Sequence, residues 1–246
     1  MFSSEHQGRI KSALSNLLSQ LNSWLSPDSF SCVSCGGRST QLSSAGLCSP
    51  CNRTFPWILE ALCEVCGRYE RCYDCERRER TYFAMNRSVV VYDAAMKNLL
   101  ALYKYRGQER LQALFVEMLS GAYDHFQMSV DVITFTPLSS TRLAERGFNQ
   151  AEQLARGLGA AKGIPVVPLL ARIKHTEKQS FKTRKERLGT LEHVFSFQKD
   201  PDFTPREGLR VLIVDDVYTT GSTLNECAKV IREGMWAEIY GLTWAR

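Results

Sequence analysis

The sequence predicts an α/β domain built on a parallel sheet with helices on both faces, joined to a small Cys-rich metal-binding module on its N-terminal side. Three observations predict it. From about residue 88 to residue 244, β-forming apolar runs alternate with amphipathic helical stretches, the pattern of strands linked by crossover helices. The clearest run, Val211-Leu212-Ile213-Val214, leads into Asp215-Asp216 and a loop of hydroxyl residues and glycine. Eight of the nine cysteines form four C-x-x-C pairs within residues 32–75, where periodic apolar positions are few. Such a segment needs a staple in place of a core.

A chain of 246 residues, 44% hydrophobic and 23% charged, suits one such domain plus a module. No run of about 18 uncharged apolar residues occurs. The first residues lack the basic stretch, apolar core and cleavage site of a signal peptide, so a cytoplasmic location is expected.

The elements follow in order. Ile10, Leu14, Leu17, Leu18, Leu21, Trp24 and Leu25 recur at helical spacing and Pro27 ends the pattern, which predicts an amphipathic helix within residues 1–27. Arg9 and Lys11 are its only cationic residues, so packing against its own domain is favoured over a membrane surface. Residues 28–80 form the Cys-rich module, ending in the charged run Glu76-Arg77-Arg78-Glu79-Arg80, which reads as a linker. Residues 81–246 form the α/β domain. Within it strands are expected at 88–92, 130–135, 209–214 and 238–244, with a short one opening at 166–167. Helices are expected at 94–105, 109–126, 149–162 and 223–234, with a break at Arg106-Gly107.

Cysteines in a cytoplasmic chain read as metal ligands rather than disulfides. Cys32, Cys35, Cys48 and Cys51 have the spacing of a zinc ribbon, with twelve residues between the pairs. Cys63, Cys66, Cys72 and Cys75 have a shorter central loop. This set either closes a second tetrahedral site or exchanges pairs with the first in a cross-braced arrangement. All-thiolate ligation leaves no open position, so the ion is structural, and zinc fits better than an iron–sulfur cluster. Cys227 stands alone in a predicted helix and reads as a small buried residue.

The stretch 211–223 carries the functional signal. Its strand delivers Asp215 and Asp216 to the carboxyl end of the sheet, where open α/β sheets bind ligands. Thr219, Thr220, Gly221, Ser222 and Thr223 then feed a helix N-terminus, whose N–H groups and dipole favour a phosphate. Two carboxylates beside an anion site point to ribose hydroxyls, met directly or through Mg²⁺. A strand–loop–helix connection with a capping hydroxyl is the plainer alternative, but it would not need Asp-Asp before five small or hydroxyl residues. A Walker loop is excluded because no G-x-x-x-x-G-K-[ST] occurs.

The net charge of +5 is unevenly spread. Arg172, Lys174, Lys178, Lys182, Arg184, Lys185 and Arg187 crowd one segment against only Glu177 and Glu186. That suits phosphate or nucleic acid, with a solvated loop as the alternative.

The segment 211–223 resembles the signature of type I phosphoribosyltransferases. More of the chain is similar to the ComF/GntX family of competence-associated proteins. The matching pieces are the paired cysteines, Tyr103-Lys104-Tyr105-Arg106-Gly107, Thr136-Pro137-Leu138, the stretch 142–151 that begins Arg142-Leu143-Ala144-Glu145-Arg146-Gly147, and residues 179–188. They cover most of residues 30–244.

The resemblance implies a type I phosphoribosyltransferase-like sheet that binds phosphoribosyl diphosphate, or a related nucleotide, with Mg²⁺. Asp215 and Asp216 would hold the ribose 2- and 3-hydroxyls. Thr219, Thr220, Gly221, Ser222 and Thr223 would hold the 5-phosphate. Residues 136–142, with Arg142, would lie where pyrophosphate binds, although Arg142 and Arg146 could simply be exposed at a helix start. Lys178, Gln179, Arg184 and Arg187 match the loop that closes over ligand, and Lys104 and Arg106 would face the site.

Thr219 stands where purine-salvage transferases carry an aspartate base, which excludes that subclass and leaves the catalytic residue unassigned, with His175 a weak candidate. The competence association implies single-stranded DNA and DNA-uptake machinery as partners. Phe55, Trp57, Tyr69 and Tyr73 would then either stack on bases or pack the module. Two readings result: a Mg²⁺-dependent phosphoribosyltransferase, or a non-catalytic DNA-binding competence factor that uses the pocket as a ligand sensor.

Overall fold

The computed structural model describes residues 30–43, 46–105, 109–173 and 194–246. The expected N-terminal helix, the Arg106-Gly107 break and most of the basic segment, including His175, Lys178, Gln179, Arg184 and Arg187, lie outside the described residues. The chain divides into two compact units, Met1–Arg53 and Thr54–Arg246.

In the first unit, β1 (Phe30–Ser31) and β2 (Arg38–Ser39) pair antiparallel, and α1 (Ser49–Thr54) follows. Gly36, at φ 71°, supplies the left-handed residue that reverses the chain between them. The turn is closed by Cys32 N–H to Gly37 O (2.9 Å) and Gly36 N–H to Cys32 O (2.8 Å).

The second unit begins with a loop-rich stretch containing α2 (Tyr73–Glu76). It continues through β3 (Met85–Val90), α3 (Ala94–Tyr105), α4 (Glu109–His125), β4 (Val132–Phe135), α5 (Ser140–Arg146) and α6 (Gln150–Lys162). The antiparallel pair β5 (Leu170–Arg172) and β6 (Phe195–Phe197) comes next, followed by β7 (Leu209–Val217), α7 (Ser222–Gly234) and β8 (Ala237–Ala245). The central sheet runs β3-β8-β7-β4 with every pairing parallel.

Strand β7 lies inside the sheet because Val211 to Val214 offer apolar side chains to both faces, and all four are buried. On one face Val211 and Ile213 share a core with Leu224, Cys227 and Ile231 of α7. On the other, Trp244 of β8 stacks on Phe115 of α4 with ring centroids 4.3 Å apart and donates to Met118 Sδ at 3.4 Å. Each fully buried side chain of this size contributes about 1.5–3 kcal/mol. Asn149 caps α6 by accepting from Ala151 N–H (3.1 Å), and its Nδ2 donates to Thr136 O (3.1 Å). The loop after β4 is thereby fixed to the helix that follows it.

Several sequence expectations shift. Strand β3 starts at Met85 rather than 88, because Asn86 and Ser88 are buried by hydrogen bonding rather than by apolarity. The short strand expected at 166–167 is a single parallel bridge between Val166 and Ile133. Helix α5 and the β5–β6 pair are additional. Cys66 and Cys72 share the core of Phe83, Tyr218 and Leu224 in the second unit. Within the charged run 76–80, Arg78 is half-buried against the loop after β7, while Glu76, Arg77, Glu79 and Arg80 are exposed.

Candidate functional site

Strand β7 continues past its apolar run, with Asp215 opposite Thr243 and Val217 opposite Ala245. The two carboxylates therefore sit on regular strand at the carboxyl edge of the sheet. Tyr218 N–H closes the edge on Ala245 O (2.8 Å). Thr219 is exposed and Thr220 buried. Gly221, at φ 75°, is the N-cap of α7 and has no side chain to cover the first-turn N–H groups. Thr220 Oγ1 and Ser222 Oγ hydrogen-bond at 2.9 Å, which narrows the turn. Asp215, Tyr218, Thr219, Gly221, Thr223 and Thr243 line a small recess there.

Asp216 N–H donates to Asp215 Oδ1 (2.8 Å), and Asp216 ion-pairs with Lys104 from the last turn of α3. Burial and the neighbouring Asp216 charge push the Asp215 carboxyl up to about 7, against the lowering pull of the Asp216 N–H, Lys104 and Thr136. Burial also raises the Tyr92 phenol, with Lys104 opposing and Asp216 adding to the rise. The edge thus gathers two adjacent carboxylates and one ammonium.

The loop after β4 faces Asp215 through Thr136, whose hydroxyl acts to lower that carboxyl. Arg142 lies on α5, whose N-cap Ser139 accepts from Arg142 N–H at 3.4 Å. Arg146 donates to Gln150 Oε1 (2.8 Å), across the turn from the end of α5 to the start of α6. Arg172, on β5, is lowered by burial and by Arg142, while Cys227 and Asp215 raise it. Arg172 and Phe195 stand opposite each other in the β5–β6 ladder. Leu170 and Phe195 of these two strands share the core of Leu224, Cys227 and Ile231 of α7.

The eight cysteines gather as two sequential sets: Cys32, Cys35, Cys48 and Cys51, and Cys63, Cys66, Cys72 and Cys75. Within each set the sulfurs lie within 4.8 Å of one another. This is the sequential arrangement, not the cross-braced one. Cys35 and Cys48 sulfurs are 3.9 Å apart and Cys66 and Cys72 sulfurs 3.4 Å apart. Thiolates about 2.3 Å from a tetrahedral ion lie roughly 3.8 Å from one another, so the donor set fits a Cys₄ metal site. Burial works to raise Cys32, yet N–H groups of Cys48, Cys35 and Ser34 bring its thiol down to about 6. Burial and the adjacent sulfurs push Cys51 up to about 12.

Asp215, Asp216, Lys104, Thr219, Thr220, Gly221, Ser222 and Thr223 thus gather at one edge, and no contact joins Arg142 to them among the described residues. Phe55 is buried and packs on Trp57 with centroids 5.5 Å apart, so it offers no face for a base. Tyr69 and Tyr73 are exposed. Arg78 and Tyr218, which close on the loop after β7, carry no sequence signal of that contact: Arg78 sits inside the charge run 76–80.

Residues 143–239 match the family model described as a phosphoribosyl transferase domain. Competence protein ComFC of Streptococcus pneumoniae is 36% identical over 191 residues, covering 76% of this chain and 81% of that protein. Competence protein ComFC of Bacillus subtilis is 33% identical over 216 residues, covering 81% and 84%. Competence protein F of Haemophilus influenzae is 30% identical over 215 residues, covering 83% and 91%.

Proposed function

This chain belongs to the ComF family of competence proteins, and from that premise we propose that it binds phosphoribosyl diphosphate, or a related ribose 5-phosphate ligand, at the carboxyl edge of its sheet. The observation that carries the reading is the junction of β7 and α7. Two strand-borne carboxylates stand there beside a glycine-capped helix start. Asp215 and Asp216 take the ribose hydroxyls, and residues 219–223 take the 5-phosphate through N–H groups and hydroxyls. Arg142 and Arg172 lie on the side assigned to pyrophosphate, with Arg184 and Arg187 in the segment that β5 and β6 flank.

Mg²⁺ fits the site: its donors are hard oxygens, and the raised Asp215 carboxyl marks a charge that Lys104 alone does not balance. When bound with the ligand, Mg²⁺ would supply charge neutralisation for the pyrophosphate group. The residues of the chain orient the ribose, anchor the phosphate and surround the leaving oxygens with cations. In the transferase reading the bond from ribose C1 to pyrophosphate breaks as a nucleophile bonds to C1.

The second reading keeps the pocket as a ligand sensor in a non-catalytic factor that binds single-stranded DNA and works with DNA-uptake machinery. The names of the relatives as competence proteins favour it, as does the exposed threonine at position 219. Both cysteine sets hold structural zinc. No helix among the described residues is long and apolar enough to cross a membrane, and we place the protein in the cytoplasm. The 1–27 helix, the 28–80 module and the 81–246 domain remain the functional divisions we propose, with the second cysteine set docked on the domain.

Calorimetric titration with phosphoribosyl diphosphate and Mg²⁺ tests binding, and pyrophosphate release across a panel of bases separates the two readings. Turnover supports the transferase; binding without turnover supports the sensor.

A further inference from the structure

The second cysteine set is tied to the phosphate loop by three separate routes. The first is Arg78, whose N–H donates to Cys75 O at 3.3 Å. Its Nη2 donates to Thr220 O at 2.5 Å and to Tyr218 Oη at 3.3 Å, with the guanidinium 5.6 Å from the Phe83 ring centroid. A β-carbon on Gly221 would meet Tyr218 Oη at 2.0 Å and Arg78 Nη2 at 2.7 Å. These two side chains therefore fill the inside of the turn that carries the loop.

Arg246 makes the second route, donating to Cys66 O while lying over the Tyr218 ring at 5.0 Å. The third runs through the sheet. Cys66 O accepts from Asn86 Nδ2 (3.4 Å), which also donates to Ser88 Oγ (3.3 Å), and Ser88 Oγ meets Thr243 Oγ1 at 2.7 Å. Thr243 lines the recess beside Asp215. The cysteine turn is seated directly on β3: a β-carbon at Gly67 would fall 2.4 Å from Asn86 O.

We propose that Arg78 is a positioning residue for the phosphoribosyl site, and that a metal ion held by Cys63, Cys66, Cys72 and Cys75 sets ligand affinity through it. The inference rests on the phosphoribosyl reading above. Four sulfurs brought this close repel as thiolates unless a cation holds them, and α2 with the segment leading to Arg78 is anchored by Cys72 and Cys75. Without the ion, Arg78 loses its anchor and the Thr220 carbonyl loses a charged donor, the stronger class of hydrogen bond. The loop then samples conformations in which its N–H groups no longer converge. Thermodynamic reciprocity requires that bound ligand strengthen metal retention by the same factor.

The test uses the metal-loaded full chain and phosphoribosyl diphosphate with Mg²⁺, titrated calorimetrically. Arg78→Ala weakens affinity by about tenfold or more, the loss expected for one charge-assisted hydrogen bond, while metal content and circular dichroism stay at wild type. Arg78→Lys, which keeps a cationic donor, recovers part of the loss. Arg80→Ala, two residues on, binds as wild type does. In a second readout, the ligand slows release of one metal ion to a chromogenic chelator in wild type and not in Arg78→Ala. Wild-type affinity in Arg78→Ala, or a chelation rate indifferent to ligand, overturns the proposal. If wild type binds no phosphoribosyl diphosphate, both readings fall. If Asp215→Ala/Asp216→Ala abolishes binding and Arg78→Ala leaves it intact, only this inference falls.

Discussion

Lys104 reaches Asp216 from the last turn of α3, so a helix placed between β3 and α4 supplies the cation at the carboxyl end of β7. An α3 running straight back along the sheet would carry Lys104 to the opposite edge. The pair therefore places the C-terminal end of α3 at the carboxyl edge of β7. Lys104 also lowers the Asp215 carboxyl.

Replacing Lys104 with Met should drive that carboxyl further up and weaken Mg²⁺-dependent ligand binding by about tenfold. Titrating wild type and Lys104→Met side by side checks this. Equal affinities would show that Lys104 only solvates the edge.

The Asp215 carboxyl itself has a defined pH signature. Its folded-state value of about 7 lies above the ordinary 3.8, so between those values the folded state holds a proton that the unfolded chain has lost. This group therefore stabilises the fold as pH falls from about 7 towards 4, and costs stability above 7. Asp215→Asn should raise Tm at pH 8 by a few degrees, roughly, and flatten the pH dependence of Tm. In carboxyl NMR of the free protein one aspartate titrates near 7, and with ligand and Mg²⁺ bound it stays ionised well below that. An aspartate that titrates with the ordinary group in both states would remove the electrostatic basis for Mg²⁺ here.

Gly221 combines a φ of 75° with the Tyr218 hydroxyl 2.0 Å from where a β-carbon would stand. Gly221→Ala should destabilise the protein by about 1–3 kcal/mol through backbone strain and displacement of Tyr218. It should also weaken ligand binding more than Thr219→Ala does. Thermal unfolding and calorimetry on both variants decide this, and a neutral Gly221→Ala would mean that the turn is not shaped as described.

How much of this was legible in the sequence varies by element for physical reasons. Strand β7 and its loop were legible because four consecutive apolar β-formers followed by Asp-Asp leave little other reading. The helix Ala94–Tyr105 has the bounds its periodicity predicts, because its apolar positions keep helical period over a full three turns. The start of β3 was not, since Asn86 is polar yet fully buried by bonds to Cys66 O and Ser88. Helix α5 buries no side chain, so it leaves no apolar stripe to detect. The contact of Arg78 with the Thr220 carbonyl leaves no sequence signal, because its partner lies far away in the chain. Periodicity carries no such information.

The metal reading has its own check. Elemental analysis of protein purified without chelator should find two zinc ions per chain, one for each cysteine set. Cys66→Ser should lose one ion and lower Tm, because Cys66 is part of the apolar core as well as a sulfur donor. Protein that carries neither zinc nor iron would end the metal assignment.

We propose that Asp215 and Asp216 hold the ribose of a phosphoribosyl ligand. Calorimetric titration of wild type and Asp215→Ala/Asp216→Ala with phosphoribosyl diphosphate and Mg²⁺ tests it most directly. The predicted result is saturable, Mg²⁺-dependent binding in wild type that is lost in the double variant, with both proteins folded and equally metal-loaded. Equal binding by the two proteins would mean that these carboxylates do not hold the ribose.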